Sequence, residues 1–232
     1  MQIEPLHAWD LSTTEARDLQ LSLAGRINTK QPFGSWQTVA AADVSWDKKG
    51  RALYAAVVVV RAGTFELVER VGVAAPARFP YVPGLLSFRE APGLLAAFEQ
   101  LSNRPDVVLC DGHGFAHPRR FGVTCHLGLW LNLPTVGCAK SRLCGTFEQP
   151  GPNRGDRSPL LDNGEVLGAV LRTRARVKPL FISSGHLCDL ESAVGLVLAT
   201  TTRFRLPEPS RLAHAYGNDI RRAVKVGAPI PA

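Results

Sequence analysis

The spacing of apolar residues changes character along the chain. Ser12 and Glu15 stand three apart ahead of LQLSLAGRI, the S-x-x-E signature of a capped helix, which predicts a helix over 13–27. After the turn-forming KQPFGS, the pattern becomes that of strands. QTVAAADVSW (37–46) is built of small and β-branched residues, ALYAAVVVVR (52–61) is nearly all apolar, and ELVERVGV (66–73) alternates. The alternation marks the third strand as half exposed. Only DKKG and AGTF separate the three, so they are expected to form an antiparallel meander.

Further on, Leu94, Leu95 and Phe98 have helical spacing, which predicts a helix over 92–101 stopped by Pro105. DVVLC (106–110) is a short apolar strand that ends at Asp111. A helix over 120–131 and a strand LPTVGCAK (133–140) follow. Strand, helix, strand implies parallel pairing. Residues 146–164 are rich in Gly, Pro and Asn and read as a surface loop. EVLGAVLRTRAR (165–176) and KPLFISSGH (178–186) read as β segments, LESAVGLVLATT (190–201) as a helix, and Glu208 to Val226 as a last helix weakened by Gly217. No internal repeat and no linker is visible, so one α/β domain is expected over 1–232.

Length and composition agree with that class. A chain of 232 residues with 45% hydrophobic and 20% charged residues can bury a large core. No apolar run approaches the roughly 20 residues that span a bilayer. MQIEPLHAWD lacks the layout of a signal peptide, which points to the cytoplasm. The formal net charge is +7, carried by 21 Arg and 6 Lys. Arginine forks match phosphate geometry, so a nucleic-acid partner is favoured, although a GC-rich genome gives the same bias. The five cysteines are odd in number and contain no CxxC pair, as expected of free thiols in a reducing compartment.

One segment follows no secondary-structure rule. In FPYVPGLLSFRE (79–90), Pro80 and Pro83 bracket Tyr81, and proline fixes φ while removing a donor. A stiff, protruding aromatic suits a wedge better than a core. Glu90 closes this segment. Asp43 interrupts the apolar run VAAADVSW, where a carboxylate is costly unless paired or holding a cation. Asp111 ends DVVLC at a strand's carboxyl end, where ligands of parallel sheets sit. If these two strands are neighbours, Asp43 and Asp111 face one cavity, and carboxylates with a phosphate suffice for Mg²⁺. The plain alternative for each acid is a cap or a structural ion pair. Lys140 ends its strand in the same way, either toward a phosphate or into solvent. His117 lies beside two arginines in AHPRR, and His214 lies in the last helix, where a structural histidine is the commoner case. Among Cys110, His113, His117, Cys125 and His126, only His113 and His117 have half of a zinc site's paired spacing, and Pro118 and the glycines around them do not fit. DGHG is too short for a phosphate-cradling loop.

Together FPYVPGLLSFRE, VLCDGHGFAHPRRFGVTCHLG, TVGCAKSRLCG, PLFISSGH and RLPEPSRLAHA resemble the endonuclease V family of deoxyinosine-directed repair nucleases, from about Val39 to His214. The resemblance implies a ribonuclease-H-like fold: a mixed five-stranded sheet, three strands antiparallel and then a parallel βαβ, flanked by helices. It implies Asp43, Glu90 and Asp111 as metal-binding acids, His214 near the metal, and Lys140 and His117 near the scissile phosphate and the lesion. It makes Tyr81, held by Pro80 and Pro83, the wedge. It assigns Gly84, Leu86, Gly112, His117 and Val123 to the lesion pocket. The cofactor it implies is Mg²⁺, with Mn²⁺ as a substitute. The partner it implies is double-stranded DNA carrying deoxyinosine or another deaminated base, bound by a monomer away from membranes. The activity it implies is a cut at the second phosphodiester 3′ to the lesion. Two alternatives stay open: an inosine-specific ribonuclease on single-stranded RNA, and a nucleic-acid-binding module without catalysis.

Overall fold

A computed structural model of the chain describes residues 1–231. Helix α1 (Thr13–Ala24) opens on the expected capping box, with the Glu15 amide donating to Ser12 Oγ and the Ser12 amide to the Glu15 carboxylate. The meander follows as β1 (Thr38–Trp46), β2 (Ala52–Arg61) and β3 (Leu67–Pro76), antiparallel throughout. Then come α2 (Leu86–Glu99), β4 (Val107–Cys110), α3 (Val123–Leu131) and β5 (Thr135–Ala139). The chain continues as β6 (Arg157–Asp162), β7 (Glu165–Leu171), β8 (Leu180–Ser184), α4 (Leu190–Thr200) and α5 (Glu208–Lys225).

All eight strands form one sheet in the order β3-β2-β1-β4-β5-β8-β7-β6. The first five are the mixed core expected from the sequence, with β4 parallel to both β1 and β5. The last three extend it as an antiparallel run. Strand periodicity sends alternate residues to opposite faces. Val39, Ala41, Val58 and Leu109 pack with α4 and α5, through residues such as Val194, Ala213 and Ile220. Ala40, Ala42, Val57 and Val108 pack with α2 and α3, through Leu94, Phe98 and Leu127. The central strands are covered on both faces, which is why their sequences are apolar almost without interruption. Helix α1 instead packs against Phe79, Leu85, Phe88 and Phe121. No helix among the described residues is long and apolar enough to cross a membrane.

The larger boundary differences from the sequence reading include β7, which ends at Leu171 and not at Arg176. Helix α2 begins at Leu86 and not at Pro92, which lies inside it. Burial of Leu85 and Phe88 against Phe79 and Ala16 holds the extra turns despite the lost amide. Residues 146–164 are not all loop: β6 pairs with β7, and Pro159 is tolerated because β6 is the sheet edge. Helix α3 starts at Val123, because Arg120 has a left-handed φ of 56° and Gly122 is the N-cap. Helix α1 stops at Ala24 with Gly25 as its C-cap, short of Ile27.

Candidate active site

The parallel register of β1 and β4 builds the site. Ala42 pairs with Cys110, and the Asp111 amide donates to the Ala42 carbonyl at 3.2 Å. The next residue on each strand is an acid, so Asp43 and Asp111 stand side by side where β4 ends. Lys140 directly follows β5, the other neighbour of β4, and its ammonium pairs with the Asp111 carboxylate. Glu90 comes from α2, the layer on the opposite face of the sheet. Asp43, Glu90, Asp111 and Lys140 all line one cavity of about 310 Å³. His214 of α5 lies behind Asp43, with Nδ1 at 2.8 Å from its Oδ2.

The charges in this cavity oppose one another. Asp43 is 9% exposed. Burial raises its pKa, the negative charge of Asp111 adds to the rise, and the His214 hydrogen bond works against it. Burial pushes Glu90 up to about 8, Asp43 and Asp111 add to this, and the Trp46 indole N–H, 3.2 Å from Oε1, opposes it. A cation among the three acids removes that repulsion. Among the described residues, no three His, Cys, Asp or Glu side chains already form a ligand cage. Each acid instead has one hydrogen-bonded partner: His214, Trp46 or Lys140. The donor set is all carboxylate oxygen, which fits a hard divalent ion that keeps several waters.

The 79–84 segment stands beside the cavity, fixed at both ends. Phe79 and Leu85 are buried. Arg89 donates to the Phe79 carbonyl at 2.7 Å and to Gly50, and stacks over Trp46 at 4.3 Å. At the other end, the Gly84 carbonyl accepts three donors: Gln20 Nε2 at 3.1 Å, His117 Nε2 at 3.0 Å and Arg119 Nη2 at 2.7 Å. Gly84 has φ of 80°, which suits glycine, and a Cβ there would lie 2.8 Å from Arg119. Between the anchors, Tyr81 is 70% exposed. Behind it lies a smaller cavity of about 150 Å³. Tyr81, Pro83, Gly84, Leu86, Gly112, His117 and Val123 all line it, whereas Pro80 lines a different cleft behind the segment. Leu86, Gly112, His113 and Val123 are walls of both the small cavity and the acid cavity.

His117 is buried and does not act as a cation. Its Nε2–H is given to Gly84, and its Nδ1 accepts the Arg119 amide at 3.1 Å. Burial first, and then the Arg119 charge, lower its pKa to about 4. The ring therefore positions the Gly84 carbonyl. The glycines of DGHG serve close packing: a Cβ on Gly114 would lie 2.1 Å from the Ser184 carbonyl. All five cysteines are free, as the sequence implies.

Sequence reasoning missed Gln20, Trp46, Arg89 and Arg119. Gln20 is 1% exposed, and its amide also donates to the Phe121 carbonyl and accepts from Arg119 Nε. A glutamine inside LQLSL looks like an ordinary polar helix position, so no local signal marked it. Arg119 was read only as part of a basic run.

Comparison with known proteins places these features in one family. The Endonuclease V family profile matches residues 21–215. Endonuclease V of Gloeobacter violaceus is 49% identical over 222 residues, covering 94% of this chain and 90% of its own. The crystal structure of Endonuclease V from Streptomyces avermitilis superimposes with a TM-score of 0.89 at 41% identity, covering 95% of this chain and 96% of that one. Endonuclease V of Ciona intestinalis matches with a TM-score of 0.78 at 25% identity, covering 93% and 100%. It was crystallised with a 23mer DNA containing an inosine followed by a ribo-adenosine.

Proposed function

The chain belongs to the endonuclease V family of DNA-repair nucleases, and from that premise we propose that it nicks DNA at the second phosphodiester 3′ to deoxyinosine or a related deaminated base. The lesion stays on the nicked strand. The observation that carries this reading is the shared wall between the acid cavity and the small cavity behind Tyr81. A base displaced into the small cavity leaves its own strand running past the acids.

Asp43, Asp111 and Glu90 are the residues that would hold Mg²⁺, or Mn²⁺ in its place. Such an ion would lower the pKa of water and offset charge on the attacking and leaving oxygens. Lys140 brings a positive charge to the same cavity and neutralises phosphate. His214 steers Asp43 through Nδ1. Tyr81 stacks into the gap that base displacement leaves, offsetting part of an unstacking cost of a few kcal/mol. Hypoxanthine differs from adenine by an O6 acceptor and an N1–H donor. A pocket of fixed main-chain groups leaves buried partners unpaired with the wrong base, which discriminates strongly. We take the protein to act as a single-domain monomer in the cytoplasm.

The test is a nicking assay on inosine-containing duplex with and without Mg²⁺. Asp43→Ala and Asp111→Ala are expected to abolish nicking, by about 10³-fold or more, while inosine binding survives in part. Wild-type nicking rates in either variant would remove that acid from the mechanism. The ribo-adenosine in the ligand of the Ciona protein gives the inosine ribonuclease reading its own footing. Matched inosine RNA belongs in the same assay, and faster cleavage of RNA would favour that reading.

A further inference from the structure

A further cavity lies next to the acid cavity. It measures about 490 Å³ and shares Lys140 with the acid cavity, while it has no wall in common with the small cavity. The adjacency therefore runs from the small cavity, through the acids, to this groove. Its walls carry Lys140, Arg172, Arg176, Lys178 and Arg205, and no acidic residue is among them.

These cations divide into two kinds. Arg172 and Arg205 are consumed in building the groove. Arg172 donates to the carbonyls of Pro150, Gly151 and Val177, and Arg205 to those of Lys140, Lys178 and Pro179. Arg176 and Lys178 are exposed, and neither side chain has a hydrogen bond or ion pair among the described residues. Arg176 also sits at a left-handed φ of 62°, a conformation that glycine or asparagine adopts more readily. The loop holds it there through its amide, which donates to the Pro152 carbonyl at 3.3 Å. Two unpaired cations on a braced wall are poorly explained by stability and well explained by a polyanion.

Resting on the nuclease reading above, we infer that this groove holds the sugar-phosphate backbone of the nicked strand on the 3′ side of the cut. The polarity follows from the order of the cavities. The lesion base occupies the small cavity, the cut falls 3′ of it at the acids, and the strand leaves past Lys140 between Arg176 and Lys178. Recognition is of phosphate charge and carries no sequence preference.

The test measures binding to inosine duplexes by fluorescence anisotropy in chelator, and nicking in Mg²⁺. One substrate has a 3′ flank that stops just past the cut, and another extends it by about ten nucleotides. Wild type is expected to bind the longer substrate more tightly. The double variant Arg176→Glu with Lys178→Glu is expected to lose that gain, by about tenfold or more. It should also lower the slope of log affinity against log salt by about 2, since each phosphate contact contributes about 0.9. On the short substrate it should match wild type, and at saturation it should nick at the wild-type rate. Arg176→Gly, which relieves the backbone, should unfold no more easily than wild type and still lose part of the flank gain. Equal affinity of wild type and double variant for the long flank, or equal loss on both substrates, overturns the groove. A wild-type chain that nicks neither inosine substrate overturns the nuclease reading, a separate result.

Discussion

Single residues set the conditions under which the site works. Burial pushes the Glu90 carboxyl up to about 8 in the ion-free fold, from an ordinary value of 4.5. The folded state keeps a proton that the unfolded chain releases. Stability without metal therefore falls as pH rises from about 4.5 through about 8. Melting in chelator should show the melting temperature dropping across that window, with a shallower drop in Glu90→Gln. Metal binding needs the ionised acid, so Mg²⁺ affinity should climb with pH toward a plateau above about 8. Gly84 is constrained by geometry instead. Gly84→Ala places a Cβ against Arg119 at φ of 80° and should cost about 1–2 kcal/mol of stability. Inosine-duplex affinity should fall with it, while calorimetric Mg²⁺ binding stays unchanged.

Elements carry these residues to one place from distant parts of the chain. Helix α2 delivers Glu90, and its first turns are continuous with the Tyr81 segment, so the small cavity and the acid cavity share Leu86. The sequence reading hid this link, because Pro92 looks like a helix start. Packing of Leu85 and Phe88 overrode that preference. Helix α1 has an equally concealed part, since Gln20 reaches across 64 positions to the Gly84 carbonyl. Gln20→Ala removes a donor from the Gly84 and Phe121 carbonyls and leaves Arg119 Nε without its acceptor. The expected cost is about 1–3 kcal/mol in urea unfolding. Looser inosine binding with unchanged Mg²⁺ affinity would identify Gln20 as a positioning residue for the wedge, whereas unchanged inosine affinity would make it structural only. At the far edge, β6 was read as part of a loop because residues 146–164 together are rich in Gly, Pro and Asn. An edge strand needs no donor on its outer side, and that is what local composition does not reveal.

For the molecule as a whole, ion binding and folding are one equilibrium. The acids come from β1, α2 and the end of β4, so the unfolded chain has no site. Mg²⁺ at about 100 times its dissociation constant should therefore stabilise the fold by about 2.7 kcal/mol, read as a rise in melting temperature. Asp43→Asn should remove most of that rise. The shift should also be larger at pH 8 than at pH 6, because binding then displaces fewer protons from the acids. A net charge of +7 adds a long-range attraction to duplex of any sequence, which salt should weaken.

The sequence by itself determined the elements of the meander, the central β-α-β and both C-terminal helices, because apolar periodicity is a local property. It also singled out Asp43, Asp111 and Tyr81, since an acid in or ending an apolar strand, and an aromatic between prolines, are locally anomalous. Through resemblance it supplied the other proposed site residues and the proposed chemistry. Tertiary structure alone decided which residues meet. The Ala42–Cys110 register aligned the two acids, burial made His117 neutral and raised Glu90, and three donors from α1 and the loop after β4 converged on Gly84. Register, desolvation and convergence depend on contacts between residues far apart in the chain, and no local pattern encodes them.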